Sequence, residues 1–249
     1  MKYSPFLLLF LLFFSCTAPQ SKTDLPEGWT SLFNGVNLDG WQVKNVPADD
    51  SLSFWSVEDG AIVANSLGHP KHDYVWLLSD KEYSDFTLRL QFQMYREYAG
   101  NSGVQIRSRY DDAEGWLNGP QVDINPPGPW RTGLSWDETR GNQWWLFPTV
   151  PKDSWPDSTY ATPGMVSYYS DQGCGWNDLE ITAVGTRLYS ELNGVQIMNY
   201  DGAGVLDDST HQARRVGMVG HIALQIHTGD QTYVKFKNIM VREQTGAVQ

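Results

Sequence analysis

The sequence predicts an all-β protein made of two packed sheets, and three observations support this prediction. Apolar and polar residues alternate over short segments, which is the period of a half-buried strand. Turns rich in Gly, Asn and Asp separate these segments, and no helical stripe of ten or more residues is evident. Many short strands joined by such turns over residues 26–245 are typical of a two-sheet sandwich or jelly roll.

The individual strands follow from the alternation. The clearest is predicted at 86–94, where apolar and polar side chains alternate without exception. Asn193-Gly194 is the residue pair favoured in tight hairpin turns, and apolar alternation continues on both sides of it. The remaining strands are predicted at 103–109, 119–124, 188–192, 195–197, 223–227 and 234–237.

Residues 1–16 are predicted to be a signal peptide. Lys2 precedes an apolar run from Phe6 to Phe14, which is too short to span about 30 Å of hydrocarbon. Ser15 before Cys16 resembles a bacterial lipobox, so we expect acylation of Cys16; the alternative is a plain signal peptide with an incidental cysteine. Residues 17–25 are predicted to form a polar tether and residues 26–245 one domain. The expected location is the bacterial cell envelope, as a lipid-anchored periplasmic or outer-membrane lipoprotein.

Composition narrows the class of ligand. The net charge of −11 argues against a nucleic-acid partner, because phosphate binding needs clustered Lys and Arg. Eleven Trp residues suit a ligand with apolar faces and polar edges, such as a small carbohydrate. We expect the protein to contact the membrane only through its lipid anchor. With Cys16 acylated, Cys174 would have no partner for an intramolecular disulfide.

The sequence contains none of the common nucleotide or serine-hydrolase motifs. It has no phosphate-binding Gly-rich loop and no Gly-x-Ser-x-Gly elbow. His69 and His72 lack a nearby Cys or carboxylate to complete a zinc site. No cofactor is therefore expected, and a structural or catalytic divalent metal is left open.

Three predicted strands carry an amide next to an ionisable group on the face opposite the core. These side chains could form a functional surface or simply an ordinary solvent-exposed sheet face. Ordinary exposed faces, however, favour Thr, Lys, Glu and Ser. The three pairs are Gln105 with Arg107, Gln121 with Asp123, and Gln225 with His227.

A second unusual region is the segment 125–176, which has no clean strand up to residue 175. A loop zone this long within one domain is usually functional. We expect its Trp residues to form a satellite core, with one or two of them reaching a ligand. These residues are Trp130, Trp136, Trp144, Trp145, Trp155 and Trp176.

Several blocks of sequence, in order and spacing, resemble the 3-keto-disaccharide hydrolase domain family. The resemblance covers nearly all of the mature chain, and it implies a sandwich of the concanavalin A-like lectin and glucanase type. It also implies action on disaccharides or glycosides oxidised to a ketone at C3. The blocks lie at 28–35, 38–41, 55–60, 83–86, 100–107, 119–124, 136–140, 176–181, 192–194, 224–227 and 236–239.

The resemblance also suggests site residues. Asn101, Arg107, Gln225 and His227 match positions shared by family members. Many relatives carry a Glu followed by a Gln where this chain has Gln121 and Asp123, so the carboxylate here is shifted by one strand repeat. The residues expected to contact the substrate are Asn101, Gln121, Trp136, Arg140, Trp176, Asn177 and Gln225.

A ketone at C3 makes the C2 proton acidic, so a base can remove it while the C1 substituent leaves. We expect His227 to be that base and Arg107 to hold the enolate oxygen. Glu138, in the block at 137–140, or Asp123 would protonate the leaving oxygen if burial raises its pKa, or else would act as a base. Water would then add to the unsaturated sugar, giving net hydrolysis.

Two alternatives remain open from the sequence. One is direct displacement by two carboxylates, for which Asp178 and Glu180 lie two apart on one strand face. The other is a non-catalytic carbohydrate-binding lipoprotein, because this fold serves lectins and enzymes alike. The trio Arg107, Asp123 and His227 favours an enzyme, since a lectin has little use for a base that titrates near neutrality.

Overall fold

The computed structural model describes residues 25–98, 100–125, 131–157 and 175–244. In this part of the chain it contains sixteen strands, one α-helix (α1, Ser209–Arg214) and short 3-10 turns at Pro47–Asp49 and Arg96–Tyr98. The strands are β1 Thr30–Ser31, β2 Trp41–Lys44, β3 Trp55–Glu58, β4 Ala61–Asn65, β5 Val75–Tyr83, β6 Phe86–Met94, β7 Ser102–Asp111, β8 Trp116–Asn118, β9 Pro120–Ile124, β10 Ser135–Asp137, β11 Trp144–Phe147, β12 Trp176–Val184, β13 Arg187–Leu192, β14 Val195–Asp201, β15 Gly220–Ile226 and β16 Tyr233–Glu243.

The strands form two antiparallel sheets of eight. The back sheet has the order β14-β13-β12-β6-β16-β4-β3, with β1 paired to β16. The front sheet has the order β11-β10-β9-β7-β15-β5-β2, with β8 paired to β7. The predicted all-β, two-sheet sandwich is therefore confirmed.

One apolar core fills the space between the sheets. Leu88 and Phe92 from the back sheet and Val104 and Leu224 from the front sheet belong to the same fully buried cluster. Burying each such side chain contributes about 1.5–3 kcal/mol to folding. The inward faces are the ones that the alternation predicts, so the opposite face of the front sheet is free to carry polar groups.

Helix α1 is short and is capped at both ends. The Asp208 carboxylate accepts a hydrogen bond from the His211 backbone N–H at 2.8 Å, and the helix ends at Arg215 in the left-handed region, with φ of 56°. Among the helices in the described ranges, none has the length and apolar character needed to cross a membrane. The predicted signal peptide with Cys16, together with Trp130 and Cys174, lies outside the described residues.

Candidate functional site

The outer face of the front sheet carries a row of four paired positions. Trp76, Gln225, Gly103 and Asp123 lie opposite one another on β5, β15, β7 and β9. Directly opposed residues in a sheet point to the same face. Gly103 has no side chain, and a Cβ there would lie 2.5 Å from Cδ of Gln121. Gly103 therefore makes room for the Gln121 side chain between Gln225 and Asp123.

Amide groups on this face have unused hydrogen-bonding capacity. The Gln121 Nε2 atom donates to Asp123 Oδ1 at 2.8 Å, and Gln105 Nε2 donates to the Leu117 carbonyl at 3.2 Å. A buried polar atom without a partner costs about 1–3 kcal/mol, so a ligand rich in hydroxyls would be stabilised here. The buried atoms without a hydrogen bond to any described residue include Asn101 Oδ1, Gln105 Oε1, Gln121 Oε1, Gln225 Oε1 and Gln225 Nε2.

Two buried carboxyl groups lie beside these amides. Asp123 and Glu138 are 4% and 5% exposed. Burial raises the pKa of Asp123 to about 7, although the Gln121 hydrogen bond and the charge of Arg131 act in the opposite direction. Burial also raises the pKa of Glu138 to about 8, and the negative charge of Asp123 adds to this rise. Glu138 has the higher pKa of the two and is the one that keeps its proton at neutral pH.

Glu138 is held by its backbone at the end of β10. Its N–H donates to the Gly119 carbonyl at 2.9 Å, and its carbonyl accepts from Trp116 Nε1 at 2.7 Å. Polar contacts of its carboxyl with Trp136 and Gln225 lower the Glu138 pKa in part. The Gln225 amide is thus a neighbour of the acid, although neither of its polar atoms makes a well-formed hydrogen bond to a described residue.

His227 follows β15 and is paired with a tyrosine. Its Nε2 lies 2.9 Å from the Tyr74 hydroxyl, and its Nδ1 lies 3.1 Å from the Thr228 carbonyl. Because the carbonyl can only accept, we assign the proton of neutral His227 to Nδ1, which leaves Nε2 as an acceptor. Burial lowers the His227 pKa, against the opposing charge of Asp230. His227 is therefore neutral at pH 7, with its basic nitrogen on Tyr74.

Tyr74, which contacts His227, also lies within electrostatic range of Glu138. Burial raises the pKa of the Tyr74 hydroxyl, and the negative charge of Glu138 raises it further, so this hydroxyl remains a donor. Its ring stacks on Trp76 at 5.5 Å and meets Trp116 edge-on at 4.9 Å. The Arg140 guanidinium carbon lies 4.1 Å from the centre of the Trp116 ring. These side chains form one wall of the site.

The opposite wall is built from tryptophans on and after β10. Trp136, paired with Gln121 across the sheet, stacks on Trp155 with ring centres 5.5 Å apart and planes 5° apart. Trp145 meets Trp136 edge-on at 5.3 Å, and Arg131 lies 5.2 Å from the Trp155 ring centre. Trp155 is 62% exposed, so the stack offers a flat apolar surface beside the polar floor.

The structure does not bring Arg107 to this site, so its expected place on the polar face is wrong. Its backbone has φ of 50°, and strand pairing shifts register beside it, which breaks the alternation. The fully buried guanidinium donates to the carbonyls of Ser84 at 2.6 Å, Gly185 at 2.5 Å and Gly217 at 3.1 Å, and to Asp85 Oδ1 at 2.9 Å. Arg107 ties the loops of the two sheets together.

Trp176 and Asn177 are also absent from this site, contrary to expectation. Both lie on β12 in the back sheet, and strand alternation alone does not reveal which sheet a strand joins. Asn177 is buried and accepts a hydrogen bond from Asn193 Nδ2 at 3.0 Å. The Lys237 ammonium lies 4.0 Å from the centre of the Trp176 ring.

Asp178 and Glu180, the pair considered for direct displacement, lie on the back sheet and are hydrogen-bonded to a neighbouring strand. Asp178 accepts from Gln91 Nε2 at 2.8 Å, and Glu180 accepts from Arg89 Nε at 2.5 Å. Both line a groove of about 460 Å³ on the back sheet. Each carboxylate is already paired with a neighbouring strand, so this pair is not the arrangement that the displacement mechanism requires.

The structure thus groups Asn101, Gln121, Asp123, Trp136, Glu138, Arg140, Gln225 and His227. Sequence reasoning missed Tyr74, Gly103 and Arg131. It included Trp155 only among the six tryptophans of which one or two were expected to reach a ligand. Tyr74 precedes Trp76 by two residues in an alternating segment, which is a usable signal for a shared face. In the described part of the chain, no set of three or more His, Cys, Asp or Glu side chains is placed to hold a metal ion.

Comparison with protein families gives a match over most of the chain. Residues 28–242 match the model of the 3-keto-alpha-glucoside-1,2-lyase-like domain. The chain belongs to this family. The resemblance stated from the sequence motifs is thereby confirmed. A search of curated proteins finds no match to the chain.

Solved structures share the sandwich fold at low sequence identity. A candidate glycosyl hydrolase from Parabacteroides distasonis ATCC 8503 is 20% identical, with a TM-score of 0.55, covering 87% of this chain and 94% of the other. A second from the same organism is 21% identical, with a TM-score of 0.53 and coverage of 87% and 99%. The carbohydrate-binding module CBM66 from Bacillus subtilis is 17% identical, with a TM-score of 0.51 and coverage of 82% and 96%.

Proposed function

We propose that this protein cleaves the glycosidic bond of 3-keto-glycosides, including 3-keto-disaccharides, by β-elimination, and that water then adds to give net hydrolysis. The observation that carries the proposal is the buried pair Asp123 and Glu138, which lies among unpaired amides and near a neutral His227. A plain sugar-binding face has no need for an acid held protonated next to a neutral base. Membership of a family named for a 1,2-lyase supports the same chemistry.

In the first step, the C2 proton moves to Nε2 of His227 and its electron pair forms the enolate of the C3 ketone. His227 is suited to this role because its lowered pKa leaves Nε2 unprotonated. The Tyr74 hydroxyl, 2.9 Å from that nitrogen, donates to Nε2 before the reaction. As the C2 proton moves to Nε2, this hydroxyl turns from the nitrogen and donates to the enolate oxygen. Tyr74 thereby takes the role that the sequence suggested for Arg107.

In the second step, the enolate electrons form the C1–C2 double bond and the C1–O bond breaks. Glu138 is protonated at neutral pH, because its pKa is about 8, and gives its proton to the leaving oxygen. Hydration reverses these transfers: Glu138 takes a proton from the attacking water and His227 returns one to C2. Both residues are then restored, and no nucleotide cofactor is needed.

The aromatic wall supplies a place for the leaving group. The keto sugar would lie over Gly103, where the unpaired Oε1 of Gln121 and the unpaired amide atoms of Gln225 meet its hydroxyls. The second ring would then lie against Trp136 and Trp155, whose flat surface suits the apolar face of a sugar. A two-ring substrate fits this division between polar floor and aromatic wall.

The second candidate function is carbohydrate binding without catalysis. The unpaired amides and the exposed Trp155 are sufficient for a lectin-like site. Incubation with 3-keto-trehalose and with trehalose separates the two functions. We expect release of glucose from the keto sugar alone; binding of either sugar with no cleavage would establish the lectin instead.

We further propose that the protein is a lipoprotein of the bacterial envelope, anchored through Cys16. The support is the short apolar run that ends at Ser15-Cys16. Two or more acyl chains would give stable membrane attachment. Mass spectrometry of the mature N-terminus tests this: a lipid-modified Cys16 is expected, and an unmodified N-terminus beyond that residue would contradict it.

A further inference from the structure

His211 and Asp137 form a buried ion pair at the residue that precedes the proposed acid, Glu138. This pair has no part in the proton transfers described above. The His211 Nε2 atom lies 3.1 Å from Asp137 Oδ2, and both side chains are fully buried. The other ring nitrogen, Nδ1, lies 2.9 Å from Asp208 Oδ1. A carboxylate can only accept, so Nδ1 donates to Asp208, whereas Nε2 and Asp137 Oδ2 lie at ion-pair distance without a well-formed hydrogen bond. Two carboxylates on either side of the ring favour the imidazolium form of His211.

This cluster encloses the segment that carries Glu138. Asp137 immediately precedes Glu138, and its Oδ1 accepts from the Thr139 backbone N–H at 2.9 Å, closing a turn around the acid. Asp208 caps α1, and its Oδ2 accepts from Asn142 Nδ2 at 2.9 Å. Helix α1 therefore holds both ends of the segment 137–142 through His211 and its carboxylate partners.

The cluster also affects the pKa of Glu138 through the charge of Asp137. Burial lowers the pKa of His211, but the hydrogen bonds and charges of Asp137 and Asp208 outweigh it, so the pKa is raised overall. The negative charge of Asp137 contributes to the raised pKa of Glu138, together with burial and Asp123.

Other titratable and charged groups face the same segment from the elements packed around it. Tyr200 on β14 faces Asp137, whose charge contributes to its raised pKa. Tyr74 and Arg140 flank Glu138 on the side of His227. Asp137 differs from these neighbours in being next to Glu138 in sequence and paired with a buried cation.

We propose that Asp137 and His211 are positioning residues, which fix the Glu138 carboxyl in place and supply a negative charge that opposes its ionisation. This rests on the proposed role of Glu138 as the acid. His211 is required because it is the buried cation that pairs with the Asp137 carboxylate and holds it in place.

The test follows the titration of the Glu138 carboxyl by ¹³C NMR, together with the pH profile of kcat. In Asp137→Asn, which keeps the shape and removes the charge, the Glu138 midpoint should fall by about one pH unit. The alkaline limb of kcat should move by the same amount. The matched control is Asp208→Asn, which breaks the other His211 contact but leaves the charge beside Glu138; its midpoint should stay within about 0.3 units of the wild type.

A folded Asp137→Asn variant with an unchanged Glu138 midpoint would overturn the inference, as would equal shifts in both variants. If Asp137→Asn does not fold, Asp137→Ser removes the same charge with a smaller side chain and carries the same prediction. The NMR midpoint does not depend on turnover, so a shifted midpoint in a protein that cleaves no keto sugar would reject the proposed function and leave the positioning role intact.

Discussion

The Tyr74 hydroxyl lies 2.9 Å from Nε2 of His227, and ionisation of Glu138 raises the pKa of the same hydroxyl. One phenol therefore contacts the proposed base directly and lies within electrostatic range of the proposed acid. Its raised pKa keeps it a neutral donor beside the base. This donor accounts for how an enolate oxygen is stabilised in a site to which Arg107 does not contribute.

Replacement of His227 with Ala should abolish detectable turnover of a 3-keto-glycoside, because it removes the nitrogen proposed to accept the C2 proton. Tyr74→Phe should lower kcat by about 10²–10³-fold, which is typical for the loss of one preorganised donor. His227 and Tyr74 are both half-buried, so the melting temperature should change little. Steady-state kinetics with a thermal melt checks both statements; full activity in His227→Ala would contradict the assignment.

The pH dependence of activity should have a defined sign. Glu138 acts as an acid, so kcat should fall as the pH rises through about 8. His227 acts as a base, so kcat should fall on the acid side at a pH below the usual range of histidine, since burial lowers its pKa. In Glu138→Gln the residual rate should be low, and its alkaline limb should be absent. A wild-type profile that is flat between pH 6 and 9 would contradict these roles.

Stability should depend on pH through the same carboxyl groups. The folded-state pKa values of Asp123 and Glu138 lie above their unfolded values, so their contribution is fully present below about pH 4 and lost as the pH rises through 7 to 8. The variants Asp123→Asn and Glu138→Gln should each show a smaller loss of melting temperature between pH 5 and 8 than the wild type. An identical pH dependence in all three proteins would show that these carboxyl groups are not perturbed.

Much of the fold follows from the sequence, because alternation in segments such as 86–94 fixes which side chains face the core. Most of the candidate site also follows, since Gln121, Asp123 and Gln225 alternate with buried neighbours. Alternation fails at Arg107 because a left-handed residue beside a register shift turns its side chain away from the expected face. It fails for Trp176 because local periodicity does not determine which of two sheets a strand joins.

Arg107 should therefore behave as a structural residue. Arg107→Ala leaves the Asp85 carboxylate and three backbone carbonyls without their shared donor. A buried acceptor left unsatisfied typically costs about 1–3 kcal/mol of unfolding free energy, and the Asp85 side chain, which is 32% exposed, contributes less. Chemical denaturation should show this loss, whereas kcat of the folded fraction should remain within about threefold of the wild type. A stable Arg107→Ala protein without activity would return Arg107 to the catalytic site.

Gly103→Ala should separate site geometry from overall stability. The added Cβ would lie 2.5 Å from Cδ of Gln121 and would displace the side chain that donates to Asp123. We expect kcat/KM to fall by at least about tenfold, because small displacements of positioned groups are costly to catalysis. The matched control is Leu224→Ala in the core, which should cost about 2–5 kcal/mol of stability and leave the pH profile unchanged. Wild-type kcat/KM in Gly103→Ala would contradict the placement of the sugar over this residue.

The most direct test of the central claim is cleavage of 3-keto-trehalose in deuterated water, followed by NMR of the sugar product. The proton that His227 removes from C2 should exchange with the solvent before hydration, so that a deuteron is returned to C2 of the released 3-keto-glucose. The label should exceed that of 3-keto-glucose incubated without the protein, and unoxidised trehalose should remain intact. If the reaction stops at elimination, the product should instead be a sugar unsaturated between C1 and C2. A saturated product with no deuterium at C2, or cleavage of trehalose at a comparable rate, would contradict the elimination mechanism.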